Sequence, residues 1–139
     1  MKSIWAKQLM TGVVEIDTEH LTLIETIDEL HDAMQVGKGK EEVIGTVNFL
    51  QNYVAIHFKH EEALQREYEY PEMEAHKGMH LEFVKELNQL ESLISTEQTT
   101  TNAMKVTYFC MEWLKKHIGV EDRKLADYIL QSRRQRKDQ

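Results

Sequence analysis

Residues 57–80 read HFKHEEALQREYEYPEMEAHKGMH, and the way this stretch divides decides the fold. His57 and Glu61 stand four apart before Pro71, and His76 and His80 stand four apart after it. In an α-helix, positions i and i+4 lie on one face, one turn apart, so each pair can present both side chains to a common point. Proline has its φ set near the helical value and lacks the amide that a first turn leaves unpaired, so Pro71 opens a new helix. Glu72 and Glu74 then fall in the first turn, where the helix dipole favours negative charge. The stretch is the end of one helix, a reversal and the start of the next.

Outward from it, apolar residues keep the helical period on both sides. Upstream, Val43, Ile44, Val47, Leu50, Val54, His57, Phe58, Glu61 and Leu64 line the inner side of a helix predicted from Lys40 to Tyr68. Gly45 inside it costs about 1 kcal/mol relative to Ala, so its early turns are the weak ones. Downstream, Met79, Phe83, Val84, Leu87 and Leu90 carry the next helix to Ile94. A first helix is predicted from Thr18 to Val36, with Leu23, Ile24, Ile27, Leu30 and Met34 as its stripe, Asp17 as N-cap, and Gly37 and Gly39 as stop signals. The Thr-rich segment Ser95–Thr101 reads as a loop. A fourth helix follows from Asn102 to Gln131, with an interruption expected near Gly119. No strand-type alternation competes. Four long amphipathic helices with short connections predict an all-α fold, an antiparallel up-and-down four-helix bundle. Residues 1–16 predict an extended N-terminal arm lying over a bundle of residues 17–131. The basic tail SRRQRKDQ, residues 132–139, reads as a solvated helix end whose cations complement the dipole.

Composition narrows the function. The chain has 139 residues, the size of one domain. With 17 Lys and Arg against 24 Asp and Glu, its formal charge of −7 repels nucleic-acid phosphate. Its single cysteine, Cys110, forms no internal disulfide, Cys-based zinc site or iron–sulfur cluster, and fits a reducing compartment. No apolar run approaches the roughly 18 residues of a membrane span. The opening MKSIWAKQLMTGVVEID makes a poor signal peptide, so a cytoplasmic location is expected. What stands out is the placement of the seven histidines.

His20 opens the first helix, and His117 lies in the fourth with two acids close behind. Every helix thus offers at least one imidazole or carboxylate near its apolar stripe, where an unpaired polar group is expensive to bury. A lone histidine at a helix start is more often a cap or surface residue, and one i,i+4 pair is as readily a surface salt link. Four such accidents on four helices are less probable than one shared partner, and converging imidazole and carboxylate ligands suit iron or another first-row metal. His31 has nearly the bearing of His20 but lies about 16 Å further along the axis, out of reach. His60 is about 60° off the bearing of His57, among charged neighbours. Both read as non-ligands. In the fourth helix, ideal geometry prefers Glu121, at i+4 from His117. Asp122, at i+5, sits about 140° around a straight helix and converges only across a π-bulge or break, which Gly119 would permit. Local geometry leaves the two acids open.

The set His20, His57-x3-Glu61, His76-x3-His80 and His117-x4-Asp122 resembles the hemerythrin family in its bacterial single-domain form. The flanking words agree: I-D-x-x-H at 16–20, H-F-x-x-E-E at 57–62, Y-P-x4-H-x3-H at 70–80 and W-L-x-x-H-I at 113–118. The likeness runs from residue 5 to about 130. It implies Asp122, not Glu121, as the ligand. Family members often carry Met three after the second Glu; Gln65 stands there. The resemblance implies two iron ions joined by an oxo or hydroxo bridge. Five histidines, two bridging carboxylates and that bridge fill every position of two octahedral ions but one. His76, His80 and His117 would belong to the filled iron, and His20 and His57 to the open one.

It follows from the resemblance that O₂ takes the open position. The formal charge of such a centre is the same before and after O₂ takes two electrons and the bridge's proton, which suits a low-dielectric pocket. Leu23, Phe58, Trp113, Leu114 and Ile118 match the family's apolar oxygen pocket, and each also reads as plain bundle core. The expectation is a non-enzymatic O₂-binding protein for storage, scavenging or delivery, with no catalytic residues. It would be a monomer, served by O₂ and an oxygen-using partner protein. The competing readings are a diiron enzyme that reduces peroxide or nitric oxide, and an O₂-sensing module. A Glu-x-x-His carboxylate oxidase is disfavoured, since no Glu stands three before any His.

Overall fold

The computed structural model describes residues 5–37, 40–96 and 100–137. Gly39, the centre of the loop expected at Ser95–Thr101, and the extreme ends of arm and tail lie outside the described residues. A short helical turn, α1 (Trp5–Gln8), precedes α2 (Val14–Gln35), α3 (Lys40–Glu67) and α4 (Met73–Thr96). The last rod is composite: α5 (Thr100–Lys116), a π-helical segment (His117–Asp122) and α6 (Arg123–Lys137). Helices α2, α3, α4 and α5 each pack against two others in a closed ring, the arrangement of an all-α four-helix bundle.

Helix boundaries follow local chemistry more than hydrophobic period. Asp17, expected to cap the first helix, sits inside its first turn. Its carboxylate accepts from the Thr11 amide (2.9 Å), the Thr11 hydroxyl (2.7 Å) and the Gly12 amide (3.0 Å), so it ties down the loop before the helix. The helix therefore starts at Val14, with Val13 in the N-cap place and no side-chain cap. Residues 14–16 of the expected arm belong to this helix, and 5–8 form a turn of their own. Gly37 adopts φ +67° after the end of α2, as a stop signal should. The end of α3 uses a non-glycine instead. Glu69 takes φ +53°, the Tyr70 amide donates to the Gln65 carbonyl (2.8 Å) and the Glu69 amide to that of Arg66 (3.2 Å), a Schellman closure. Pro71 and Glu72 complete the reversal, and α4 begins at Met73, two residues after the expected start.

The arm and tail are tied to the bundle. The Arg123 guanidinium donates to the carbonyls of Gln8 (3.2 Å) and Met10 (3.0 Å), and Leu9 is buried in the main core. Helix α6 runs through much of the expected tail. There Arg133 donates to the Tyr68 hydroxyl (2.9 Å) and to Glu15 (2.5 Å), while Arg136 lies 4.4 Å over the Tyr68 ring.

The apolar interior comes in two parts. The larger contains Leu23, Ile27, Leu50, Phe58, Phe83 and Leu114 among others; the smaller contains Val13, Ile16, Tyr68, Tyr70, Leu125, Ala126 and Ile129. Each fully buried large side chain contributes on the order of 1.5–3 kcal/mol. Between the two, at the level of His20 on α2 and His117 on the last rod, lies a layer of buried polar groups.

Candidate metal centre

That layer is made of His20, His57, Glu61, His76, His80, His117 and Asp122, all buried. Each bundle rod supplies at least one member. The pairs on α3 and α4 meet through the i,i+4 spacing. The last rod needs its π segment. Wider turns return i+5 to the bearing of i, and His117 Nε2 lies 3.1 Å from Asp122 Oδ1. Glu121 is turned outward and half-buried, with Lys124 Nζ at 3.9 Å. The structure thus brings Asp122 into the cluster and leaves Glu121 out.

The two carboxylates divide the histidines into two groups. Glu61 Oε1 lies 2.8 Å from His76 Nε2 and 3.2 Å from His80 Nε2. Asp122 Oδ1 lies 2.9 Å from His76 Nε2. On the other side, Glu61 Oε2 lies 3.2 Å from His57 Nε2 and 3.7 Å from His20 Nε2, and Asp122 Oδ2 lies 3.0 Å from His20 Nε2. One group is His76, His80 and His117; the other is His20 and His57. Each carboxylate turns one oxygen to each group, and within each set the ligand atoms fall within 4.8 Å of one another.

Hydrogen bonding alone does not account for this packing. His117 Nε2 is 3.0 Å from His76 Nε2 and 3.1 Å from His80 Nε2. A neutral imidazole has one N–H, so ring nitrogens this close cannot all pair with one another, whereas lone pairs aimed at one cation can share it. His20 Nε2, Glu61 Oε2 and both Asp122 oxygens are buried without an aligned hydrogen bond. The residues fit a cation site, and the charges agree. Burial works against charge on Glu61, but the imidazoles of His20, His57, His76 and His80 around it hold its carboxyl well below the usual range. Burial and the charge of Glu61 work against Asp122, yet His117 and His20 hold it low as well. Against burial, Glu19 and Glu61 push His57 up to about 10, and Asp122 and Glu61 push His76 up to about 9. In this form the two carboxylates favour the protonated imidazoles of His20, His57 and His76, and cation binding would displace those protons.

Around the seven lie groups that sequence reasoning missed. Glu19 Oε1 is 3.1 Å from His57 Nδ1, and Glu62 Oε2 is 3.4 Å from His80 Nδ1. Such carboxylates orient an imidazole and set its tautomer. Their signal in the sequence is adjacency: each acid is next to a cluster residue, His20 or Glu61, and so points toward the neighbouring rod. The expected oxygen-pocket residues Leu23, Phe58, Leu114 and Ile118 are buried, and Trp113 is partly so. Two of them have a definite contact. Phe58 stacks on His80 at 3.7 Å, within 2° of parallel, and Trp113 stacks on His117 at 4.2 Å and 14°. Both aromatic rings therefore lie against the three-histidine group. His31 and His60 are exposed and belong to neither group.

Among the described residues, no helix is long and apolar enough to cross a membrane. The model of the hemerythrin HHE cation-binding domain matches residues 11–129. The chain is similar to a bacteriohemerythrin of Pseudomonas aeruginosa, 29% identical over 129 residues, covering 93% of this chain and 82% of the relative. It is similar to one of Methylococcus capsulatus at 29% identity, covering 85% and 88%, and to one of Campylobacter jejuni at 30%, covering 81% and 84%. The buried His/Glu/Asp cluster and a domain match spanning nearly the whole chain agree: this protein belongs to the hemerythrin family.

Proposed function

We propose that this protein binds O₂ reversibly at a pair of non-haem iron ions, for oxygen storage, scavenging or delivery, and is not an enzyme. The observation that carries the reading is the uneven division of the histidines, three against two, by two carboxylates that face both groups. His76, His80 and His117, with Glu61 Oε1 and Asp122 Oδ1, would hold one ion. His20 and His57, with Glu61 Oε2 and Asp122 Oδ2, would hold the other, which is then one protein ligand short. Two irons held by these residues would supply the two electrons that O₂ binding draws on.

The chain's own groups do the rest. Glu61 and Asp122, held as carboxylates, balance cation charge in a site walled from water. Leu23, Phe58, Leu114 and Ile118 keep solvent out of the layer from the side of the larger core. Phe58 and Trp113, lying face-on to His80 and His117, hold those rings against rotation. Glu19 accepts from His57 Nδ1 and leaves Nε2 facing inward. The buried free thiol of Cys110, pushed up to about 12 by burial, is inert and suits a cytoplasmic protein.

Iron analysis together with optical spectra under argon and air tests this reading. Two irons per chain are expected, with near-ultraviolet and visible charge-transfer bands that appear in air and vanish on deoxygenation. A protein holding one iron, or one whose bands do not reverse, would overturn it. Rapid turnover of hydrogen peroxide at an intact centre would do the same in favour of an enzyme.

A further inference from the structure

We propose that the groove between α2 and α3 is the port through which a divalent cation reaches the centre, with His60 and Glu19 as the pair that receives it. The inference rests on the diiron reading above. The groove is about 500 Å³ and is lined by Glu15, Glu19, His57, His60, Glu61 and Glu67, with smaller and apolar residues between them. Six waters at about 30 Å³ each occupy about 180 Å³, so a fully hydrated ion fits inside.

Side chains of ligand type descend this groove in order of falling exposure. His60 is 62% exposed and Glu19 18%; His57 is 2% and Glu61 0%. Each touches the next. His60 Nδ1 is 2.6 Å from Glu19 Oε2. Glu19 Oε1 is 3.1 Å from His57 Nδ1. His57 Nε2 is 3.2 Å from Glu61 Oε2. The last atom is buried and makes no aligned hydrogen bond, so the groove ends on a carboxylate oxygen with lone pairs to offer. Stripping a divalent cation of water in one step is costly; a ladder of oxygen and nitrogen ligands replaces its waters one or two at a time.

Charge also selects this route. At the rim, Glu15 and Glu67 are matched by Arg133 and Arg136, which leaves the attraction concentrated on Glu19 and Glu61. A second cavity, of about 270 Å³, reaches the centre beside His117. It is lined by Met79, Trp113 and Val120 with the Lys116 ammonium and the Glu121 carboxylate, one positive charge against one negative, so it carries no net attraction for a cation.

The test is the rate of Co(II) uptake by metal-free protein, followed by absorbance in stopped flow, with metal per chain at the end point. His60→Ala and Glu19→Gln are expected to slow uptake about tenfold or more, the scale on which a charged cleft accelerates association. His60 touches Glu19 and none of the seven clustered side chains, so His60→Ala should reach the wild-type Co(II) content and spectrum; Glu19→Gln, which also changes the support of His57, is compared by its rate alone. Glu121→Gln, at the other cavity, should load at the wild-type rate. Unchanged rates in both groove variants would overturn the port, as would slowing by Glu121→Gln instead. If His60→Ala also loses end-point metal or alters the Co(II) spectrum, His60 supports the centre and does not form a port. The diiron reading is tested separately by the wild-type end point: one ion per chain, taken up at a groove-dependent rate, would end that reading and leave the port standing.

Discussion

Replacing Asp122 by alanine, beside the same change at Glu121, separates the buried acid from its half-buried neighbour. Asp122 places one oxygen 2.9 Å from His76 Nε2 and the other 3.0 Å from His20 Nε2, so it serves both histidine groups. Changing a residue that merely supports a metal ligand costs about 10–100-fold in affinity. On the proposed diiron reading Asp122 would give an oxygen to each ion, and losing both must exceed that range, which puts the loss above about 100-fold, or about 2.8 kcal/mol. Glu121 instead pairs with Lys124 at 3.9 Å, near the surface. Exposed pairs contribute about 0.2–1 kcal/mol to stability, so Glu121→Ala should leave affinity within about twofold and the melting temperature nearly unchanged. The assay is anaerobic titration of metal-free protein with Fe(II), followed by desalting and elemental analysis, with far-ultraviolet circular dichroism to establish that the helices persist. Equal loss of iron in the two variants, or loss in Glu121→Ala alone, would refute the assignment and with it the role given to the π segment.

Other expectations follow from the same structure. His80→Ala should lower iron content, because His80 Nε2 lies 3.2 Å from Glu61 Oε1, whereas the exposed His31→Ala should not; elemental analysis distinguishes them. Gly45→Ala should stabilise the protein by about 0.5–1 kcal/mol in chemical denaturation, since an added Cβ in this helical stretch meets nothing within 4 Å. Arg133→Ala should cost about 1 kcal/mol by removing its bonds to Tyr68 and Glu15. Hydrogen bonding from Arg133 lowers the Glu15 carboxyl, so its part of that stability is present above the ordinary glutamate range and lost as pH falls through the lower folded value. The gap between wild type and Arg133→Ala should therefore narrow in acid denaturation curves.

The bundle was legible because its apolar stripes keep a period that only helices use, and the cluster because His57, Glu61, His76 and His80 lie on those stripes. The route to Asp122 was visible as a condition: an i+5 acid needs a π turn, and His117–Asp122 supplies one. Other features turn on contacts that spacing does not encode. Asp17 has the composition of an N-cap, but the amides of Thr11 and Gly12 claim its carboxylate and the helix starts earlier. Glu19 and Glu62 carry no signal in the helical period because their partners, His57 and His80, come from other helices. Phe58 and Trp113 were marked as pocket walls, yet periodicity cannot tell a ring that bounds a cavity from one that stacks on an imidazole.

The buried polar layer cuts the interior into two oily compartments with a wet-tempered seam between them. Emptied of cations, the two compartments are joined by the helices that run through the seam and by the carboxylate–imidazole contacts within it. Backbone amides near His20 and His117 should then exchange with deuterated solvent ahead of those at either end, and metal should act as a rivet that brings the three zones to one common rate.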